Sequence, residues 1–262
     1  MHIVHAQRRV GVSIFFVLVF SAKTLAFDNA APRQATVIGS LACKGCHPAF
    51  YDGWRATRHA RFSFGCEACH GPGSAHVAVP SSKTISVDPS PELCGRCHRR
   101  NSGTVIEASG NLLKSGQQYN EWRASPHQSV TRCVTCHDAH YSPTVFRERA
   151  IKKSCLACHP GTRVFLGMQT IACEQCHMPK AACREQAQGV GSYRTGDRAA
   201  HIWRIKSEAA PGEMFSLSGT TAQKDGQGAY LTLNFACLGC HNGKDAKHYD
   251  IESVRQTAPL VH

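Results

Sequence analysis

Two cysteines separated by two residues, with a histidine directly after the second, recur seven times along the chain. The motifs are Cys43-Cys46-His47, Cys66-Cys69-His70, Cys94-Cys97-His98, Cys133-Cys136-His137, Cys155-Cys158-His159, Cys173-Cys176-His177 and Cys237-Cys240-His241. On a helical turn the two thiols share one side, so both can form thioethers with the vinyl groups of one porphyrin. The adjacent histidine then faces the iron as proximal ligand. The sequence therefore predicts seven covalent haem c groups.

Two other chemistries use cysteines at this spacing. Zinc ribbons and fingers contain paired Cys-x-x-Cys motifs, but zinc does not require a histidine after every second cysteine. Histidine makes up 16 of 262 residues, so seven such histidines by chance have a probability on the order of 10⁻⁹. A disulfide framework explains neither the fixed spacing nor the histidines. Cys183 remains outside the motifs, and we expect it to be a small apolar packing residue rather than a reactive thiol.

Seven further histidines lie outside the motifs and the first 26 residues. They are His59, His76, His127, His140, His201, His248 and His262. Their number equals the number of motifs, and histidine is a common axial ligand of haem iron, so we expect bis-histidine ligation at every haem. The three methionines beyond Met1, which are Met168, Met178 and Met214, are expected to pack rather than to bind iron.

The position of His140 restricts which haem it can serve. It follows the proximal His137 by three residues, and three residues span at most about 10 Å. Ligands on opposite faces of one haem need backbones farther apart than that, so His140 is expected to bind a different haem. We expect the same of His76 and His248, which also follow their motifs closely.

An internal repeat organises the first half of the chain. Residues 54–59 (WRATRH) are echoed by residues 122–127 (WRASPH), and each histidine is followed by a haem motif and then by another histidine. The repeat units cover residues 43–76 and 94–140, each with two motifs and two spare histidines. The C-terminal part, residues 155–262, carries the other three motifs.

The first 26 residues predict a secretory signal peptide. A basic segment with Arg8 and Arg9 precedes a short apolar run, and residues 24–26 offer a small-residue cleavage site. An uncleaved membrane anchor is the alternative. The mature chain, residues 27–262, is then a single heptahaem domain in the periplasm or outside the cell.

The positive charge of the chain is no sign of nucleic-acid binding. Its formal net charge of +12 falls to +9 when the signal peptide takes away Arg8, Arg9 and Lys23. Seven haems would add about fourteen propionate charges against about seven positive charges on ferric iron. We find no basic helix with interleaved aromatic residues, so no nucleic-acid partner is expected.

The fold class expected is mainly α with sparse secondary structure, in which short helices and loops wrap around a chain of stacked haems. Helices are predicted over residues 48–61 and 117–125, the latter ending before Pro126. Residues 80–91, 112–114 and 189–196 are predicted to be loops. Residues 228–235 alternate as one arm of a small β-hairpin would, and residues 178–236 are expected to form a local cap.

The motifs and their connecting segments resemble the multihaem cytochromes c with doubled Cys-x-x-Cys-His motifs. The resemblance rests on residues 54–59, 66–76 (CEACHGPGSAH), 122–140, 173–180 (CEQCHMPK), 196–205 (GDRAAHIWRI) and 237–262. That group includes the tetrahaem electron acceptor of hydroxylamine oxidoreductase and the decahaem periplasmic electron conduits. The resemblance implies that the seven spare histidines are distal ligands and that the haems stack into a wire. Seven haems is not the number in those relatives, so their partners do not carry over.

Electron transfer is the function that these features favour. An iron with two histidine ligands has no open position for a substrate and a lower potential than one with His/Met ligation. By analogy, the expected redox partners are a quinol dehydrogenase, a terminal reductase or an outer-membrane conduit. One alternative is a reductase of nitrogen or sulfur oxyanions with one open haem. Another is a subunit of a polymerising cytochrome filament, in which a histidine of one subunit binds a haem of the next.

Overall fold

The computed structural model describes residues 34–165 and 167–262, so the predicted signal peptide lies outside the described residues. Short helices follow one another through the first half. They are α1 (Ser40–Lys44), α2 (Pro48–Arg55), α3 (Arg58–Arg61), α4 (Glu67–His70), α5 (Ser74–Ala78), α6 (Pro91–Gly95), α7 (Gln118–Arg123), α8 (Cys133–Cys136) and α9 (Arg147–Ala150). The longest of these, α2, has eight residues. This agrees with the expected fold class of short helices and long connections.

The second half contains three more α-helices, α10 (Cys173–His177), α11 (Leu233–Ala236) and α12 (Ile251–Thr257). Short 3₁₀ turns occupy Pro126–Ser129, Cys155–Ala157, Gly191–Tyr193 and Ala258–Leu260. None of the helices in the described ranges is both long and apolar enough to cross a membrane.

Two small sheets complete the architecture. Strands β1 (Ala108–Ser109), β2 (Leu112–Lys114) and β3 (Ala182–Cys183) form the first, with β2 antiparallel to β1 and parallel to β3. Strands β4 (Lys224–Asp225) and β5 (Gly228–Ala229) form the second, an antiparallel hairpin. The predicted hairpin arm therefore exists over its first two residues only, and its last three residues lie in α11.

The prediction of a loop over residues 112–114 was wrong, because these residues form the central strand β2. Gly110 and Asn111 connect β1 to β2 with φ of 56° and 59°. Two consecutive residues with positive φ are the signature of a tight hairpin turn. Leu112 and Leu113 are then buried against the core, and this burial holds the segment in the sheet.

The predicted helix over residues 48–61 is interrupted. Helix α2 ends at Arg55, and Thr57 adopts an extended conformation that begins α3. The Thr57 hydroxyl accepts a hydrogen bond from the Ala60 amide at 3.3 Å and donates to the Trp54 carbonyl at 2.6 Å. This side chain thus forms hydrogen bonds with backbone groups at the end of α2 and at the start of α3, which favours a break over a continuous helix.

The repeat seen in the sequence has a structural counterpart at the second tryptophan. Helix α7 ends at Arg123, and the Ser125 hydroxyl accepts from the amide of His127 at 3.2 Å. Pro126 begins the following 3₁₀ turn. In both repeats a helix carrying tryptophan is therefore followed by a hydroxyl cap and a turn that presents a histidine, His59 or His127.

The main apolar core contains no residue of the haem motifs. Its buried members are Ile106, Ala108, Leu112, Leu113, Ala181, Ala182, Ala200, Ile202, Ala209, Met214, Phe215, Ala229, Tyr230, Leu231 and Phe235. The predicted cap over residues 178–236 thus packs on residues 106–113. Cys183 lies in β3, partly buried against this core.

Residues 34–80 have a different character. Helices α1, α3, α4 and α5 contain no buried residue, and Leu41, Phe62 and Val79 are exposed. Apolar side chains left open in this way mark a surface that another apolar body covers. Porphyrins attached to the nearby motifs would supply it.

Candidate haem sites

Each motif forms the single helical turn that its spacing predicts. In six of them the histidine amide donates to the carbonyl of the first cysteine, as from His47 to Cys43 and from His241 to Cys237, at 2.9–3.0 Å. The seventh motif, Cys173–His177, is helix α10 itself. All fifteen cysteines are free thiols. The turn therefore presents two thiols and one imidazole together, as attachment of one porphyrin requires.

Six of the seven motif histidines lie opposite one spare histidine each. The pairs are His47 with His76, His98 with His59, His70 with His140, His159 with His127, His137 with His201, and His177 with His262, with ring centroids 5.7–6.2 Å apart. No pair joins two motif histidines or two spare ones. The structure thus brings together twelve of the fourteen histidines that the sequence singles out as ligands.

The spacing of these rings fits an iron between them. Metal–nitrogen bonds to histidine are about 2 Å long. Two such bonds plus the distance from each nitrogen to its ring centre place the centroids about 6 Å apart, which is the spacing seen. Because this narrow range recurs in six pairs from different parts of the chain, ordinary ring packing does not explain it well.

Hydrogen bonds at Nδ1 orient several of these histidines so that Nε2 can bind a metal. The Nδ1 atoms of His70, His76, His177 and His262 lie 2.7–3.2 Å from the backbone carbonyl oxygens of Ser86, Ser81, Trp203 and Arg163, and Nδ1 of His140 lies 2.8 Å from the Asp138 carboxylate. A carbonyl oxygen can only accept, so Nδ1 carries the proton. Nε2 then keeps its lone pair, as a metal ligand must.

Successive motifs are neighbours in space. The thiol of Cys94 lies beside that of Cys133, and this contact lowers the pKa of Cys94 to about 7 while it raises that of Cys133. Further neighbouring thiols are Cys43 and Cys66, Cys69 and Cys94, Cys136 and Cys158, Cys155 and Cys173, and Cys176 and Cys240. The seven attachment sites therefore follow one another in chain order.

Parts of the chain are similar to known proteins. Residues 58–160 match the family model described as cytochrome c3. The chain is 25% identical over 219 residues to the dissimilatory sulfite reductase MccA of Wolinella succinogenes, covering 64% of this chain and 30% of that protein. It is 25% identical over 124 residues to the multihaem cytochrome MtrA of Shewanella baltica, covering 46% of this chain and 32% of that protein. The chain is therefore similar to multihaem cytochromes c.

The solved structure of octahaem MccA from W. succinogenes also matches this cytochrome. The TM-score is 0.47 with 19% identity, over 66% of this chain and 34% of the other. The cytochrome spans about a third of the length of the curated relatives it matches.

Burial keeps several imidazoles of the cytochrome neutral, the state that binds metal. Burial lowers the pKa values of His59, His127 and His137, and it lowers that of His201 to about 4. The backbone amide of His201 donates to the buried Glu121 carboxylate, whose pKa burial raises to about 8. Glu121 therefore positions the chain at His201, a role that its place in a short helix did not reveal.

Trp203 connects three of the histidine pairs. Its ring lies 4.7 Å from that of His127 and 5.6 Å from that of His201. Its backbone carbonyl oxygen accepts a hydrogen bond from Nδ1 of His177 at 2.8 Å. Its φ of 63° is left-handed, which is rare for a large side chain. This conformation turns the ring and the carbonyl toward different pairs. The sequence placed Trp203 in a segment resembling the family but gave no sign of this contact.

His248 lies beside a tyrosine rather than beside a motif histidine. Its ring lies 5.5 Å from the ring of Tyr193, and its Nε2 is hydrogen-bonded to the Tyr193 hydroxyl. The ring found against His241 is that of Tyr249, at 4.9 Å. Within the described residues, His241 and His248 are thus the two candidate ligands that have no histidine partner. Both belong to the seventh motif and its following loop.

Proposed function

We propose that this cytochrome is an exported electron carrier with seven covalent haem c groups in a row. The observation that carries the proposal is the set of six motif–spare histidine pairs at one spacing. When bound, the haems supply one-electron redox chemistry; the protein supplies the ligands, the order and the covering surface.

The chain contributes to this function in three ways. The six imidazole pairs would hold the irons of six haems, which would exclude substrates from these irons and favour low potentials. Successive motifs lie beside one another, so the attachment sites follow the order of the chain. Distal histidines such as His140 and His262 belong to other segments than their proximal partners and so tie the haem row together.

The partners belong to the proposal as well. We assign the donor and acceptor to the classes of quinol dehydrogenase, terminal reductase and outer-membrane conduit, in the periplasm or outside the cell. One relative is named a sulfite reductase and another a multihaem cytochrome, so the relatives' names favour neither an enzyme nor a carrier. His262 pairs with His177 of the same chain, which favours a self-contained molecule over a filament that shares this ligand.

Intact-mass spectrometry of the purified, cleaved protein tests the proposal. The mass is expected to exceed that of the apoprotein by seven haem masses, because all seven motifs form the attachment turn. The variant Cys155→Ala/Cys158→Ala is the matched control and should lose one haem mass. Five or fewer haems in a fully matured preparation would overturn the count. Electron paramagnetic resonance of the oxidised protein should show at least six low-spin haems, and a majority of high-spin haems would overturn the ligation.

A further inference from the structure

The seventh motif has the features of a normal proximal site. The His241 amide donates to the Cys237 carbonyl at 2.9 Å, as in the other motifs. Its Nδ1 lies 3.1 Å from the backbone carbonyl of Lys247, which is the same type of contact that orients His70 and His177. The Nε2 atom of His241 is therefore presented to a haem iron on Cys237 and Cys240.

The spare histidine nearest in sequence is engaged elsewhere. His248 uses Nε2 for its hydrogen bond with the Tyr193 hydroxyl, whereas His177 and His262 face each other with this nitrogen. Tyr193 is itself held in the second apolar cluster with Leu233, Leu238 and Val254. Its hydroxyl also lies 3.4 Å from the Tyr249 carbonyl. The Tyr193–His248 bond thus joins an exposed histidine to a tyrosine that packs on this cluster.

The loop after the motif further separates His248 from the far face of this haem. The Tyr249 amide donates to the His241 carbonyl at 3.3 Å, and the Lys247 carbonyl contacts the His241 ring. Residues 247–249 are therefore folded back onto the proximal histidine. A residue fixed on this side would have to leave its contacts and pass around the porphyrin in order to bind the opposite face.

The remaining spare histidines are already paired. Each of the other six spare histidines faces a motif histidine other than His241; they are His59, His76, His127, His140, His201 and His262. Met214 is fully buried in the main core, far from any role as an iron ligand. The seven motif histidines thus have six spare histidines opposite them in the described residues, and His241 is the one without such a partner.

We propose that the haem on Cys237 and Cys240 has His241 as its one protein ligand and binds small exogenous molecules at its other axial position. The ligands would be small molecules with a lone pair that binds iron end-on. This inference rests on the proposed seven-haem function and adds a ligand-binding centre to it. Because Cys176 lies beside Cys240, the centre stands at the end of the row, next to the sixth haem.

Carbon monoxide titration of the fully reduced, mature protein tests the proposal. The expected result is one carbon monoxide bound per seven haems, with one high-spin haem in the electron paramagnetic resonance spectrum of the oxidised protein. Haem content is measured by mass spectrometry on the same sample. Seven haems without any carbon monoxide binding would overturn the inference and leave the proposed carrier intact. A preparation in which Cys237 and Cys240 carry no haem would overturn the seven-haem function together with the inference.

Two variants distinguish the origin of the open position. His248→Ala is expected to keep the stoichiometry at one, because His248 is bonded to Tyr193 rather than to iron. His76→Ala, which removes a paired distal histidine, should raise it to two and shows that an open haem is detected. If the native protein binds no carbon monoxide and His248→Ala binds one, His248 is a ligand in the haem-loaded protein and the inference fails. If neither binds any, a methionine or a second copy of the chain fills the position, and the inference fails again.

Discussion

At the level of single residues, the second ring nitrogen separates histidines that are arranged as ligands from one that is not. His70 and His177 donate Nδ1–H to backbone carbonyls, which leaves Nε2 able to bind a metal, and Nε2 of His177 faces Nε2 of His262. His248 instead commits Nε2 to a tyrosine hydroxyl. The motif spacing is visible in the sequence, but this difference is not, because it depends on which distant residue lies beside each ring. With the proposed open haem, a count of spare histidines exceeds the number of distal ligands by one.

His140→Met tests the proposed partner of His140. The His140 ring is stacked 6.0 Å from that of His70, and its Nδ1 is held by Asp138. A thioether in place of this imidazole should raise the midpoint potential of one haem, by on the order of 100 mV. Spectroelectrochemical titration measures the shift. His248→Met is the control, since His248 also follows a motif but bonds to Tyr193, and it should leave all potentials unchanged. A shift in the control without one in His140→Met would contradict the assignment.

At the level of elements, the sequence predicts most accurately those helices and turns that neighbouring residues determine. Each motif is one helical turn, and Pro126 separates α7 from the turn that presents His127, as expected. The loop prediction for β2 overlooked the Gly110-Asn111 turn that joins it to β1, whereas its parallel pairing with β3, about seventy residues later, has no local pattern. The histidine pairs share this property. His177 and His262 are 85 residues apart, and only the folded chain brings them together.

The β4–β5 hairpin offers a matched pair of glycines. At Gly228 the φ is 102°, and an added Cβ would lie 2.4 Å from the Ala124 carbonyl oxygen, which is backbone and cannot move aside cheaply. Gly228→Ala should therefore lower the free energy of unfolding by about 3 kcal/mol. Gly226→Ala, two residues earlier, meets open space at an ordinary φ and should change it by less than about 0.5 kcal/mol. Denaturant unfolding of both variants checks the difference, and equal midpoints would refute the predicted close approach.

At the level of the whole molecule, two kinds of interior coexist in one chain. Residues 106–113 and 178–236 bury leucine, isoleucine and methionine against one another, as an ordinary small domain does. The segment of residues 35–80 has very few buried residues and exposes apolar side chains around its motifs. Its interior would consist of the haems themselves. The stability of residues 35–80 therefore depends on cofactor attachment much more than the stability of residues 106–113 and 178–236.

Hydrogen exchange of the mature chain prepared without haem tests this division. Without porphyrins, α4 and α5 have nothing to pack on, so amides such as those of His70 and Val77 should exchange at the rate of an unfolded chain. The buried residues Leu113, Ala182 and Leu231 donate their amides to backbone carbonyls, and we expect peptides containing them to exchange at least about tenfold more slowly. The haem-loaded protein is the control, in which both regions should be protected. Equal, rapid exchange in the two regions of the haem-free chain would show that the apolar core cannot fold alone, and that haem attachment organises the entire molecule.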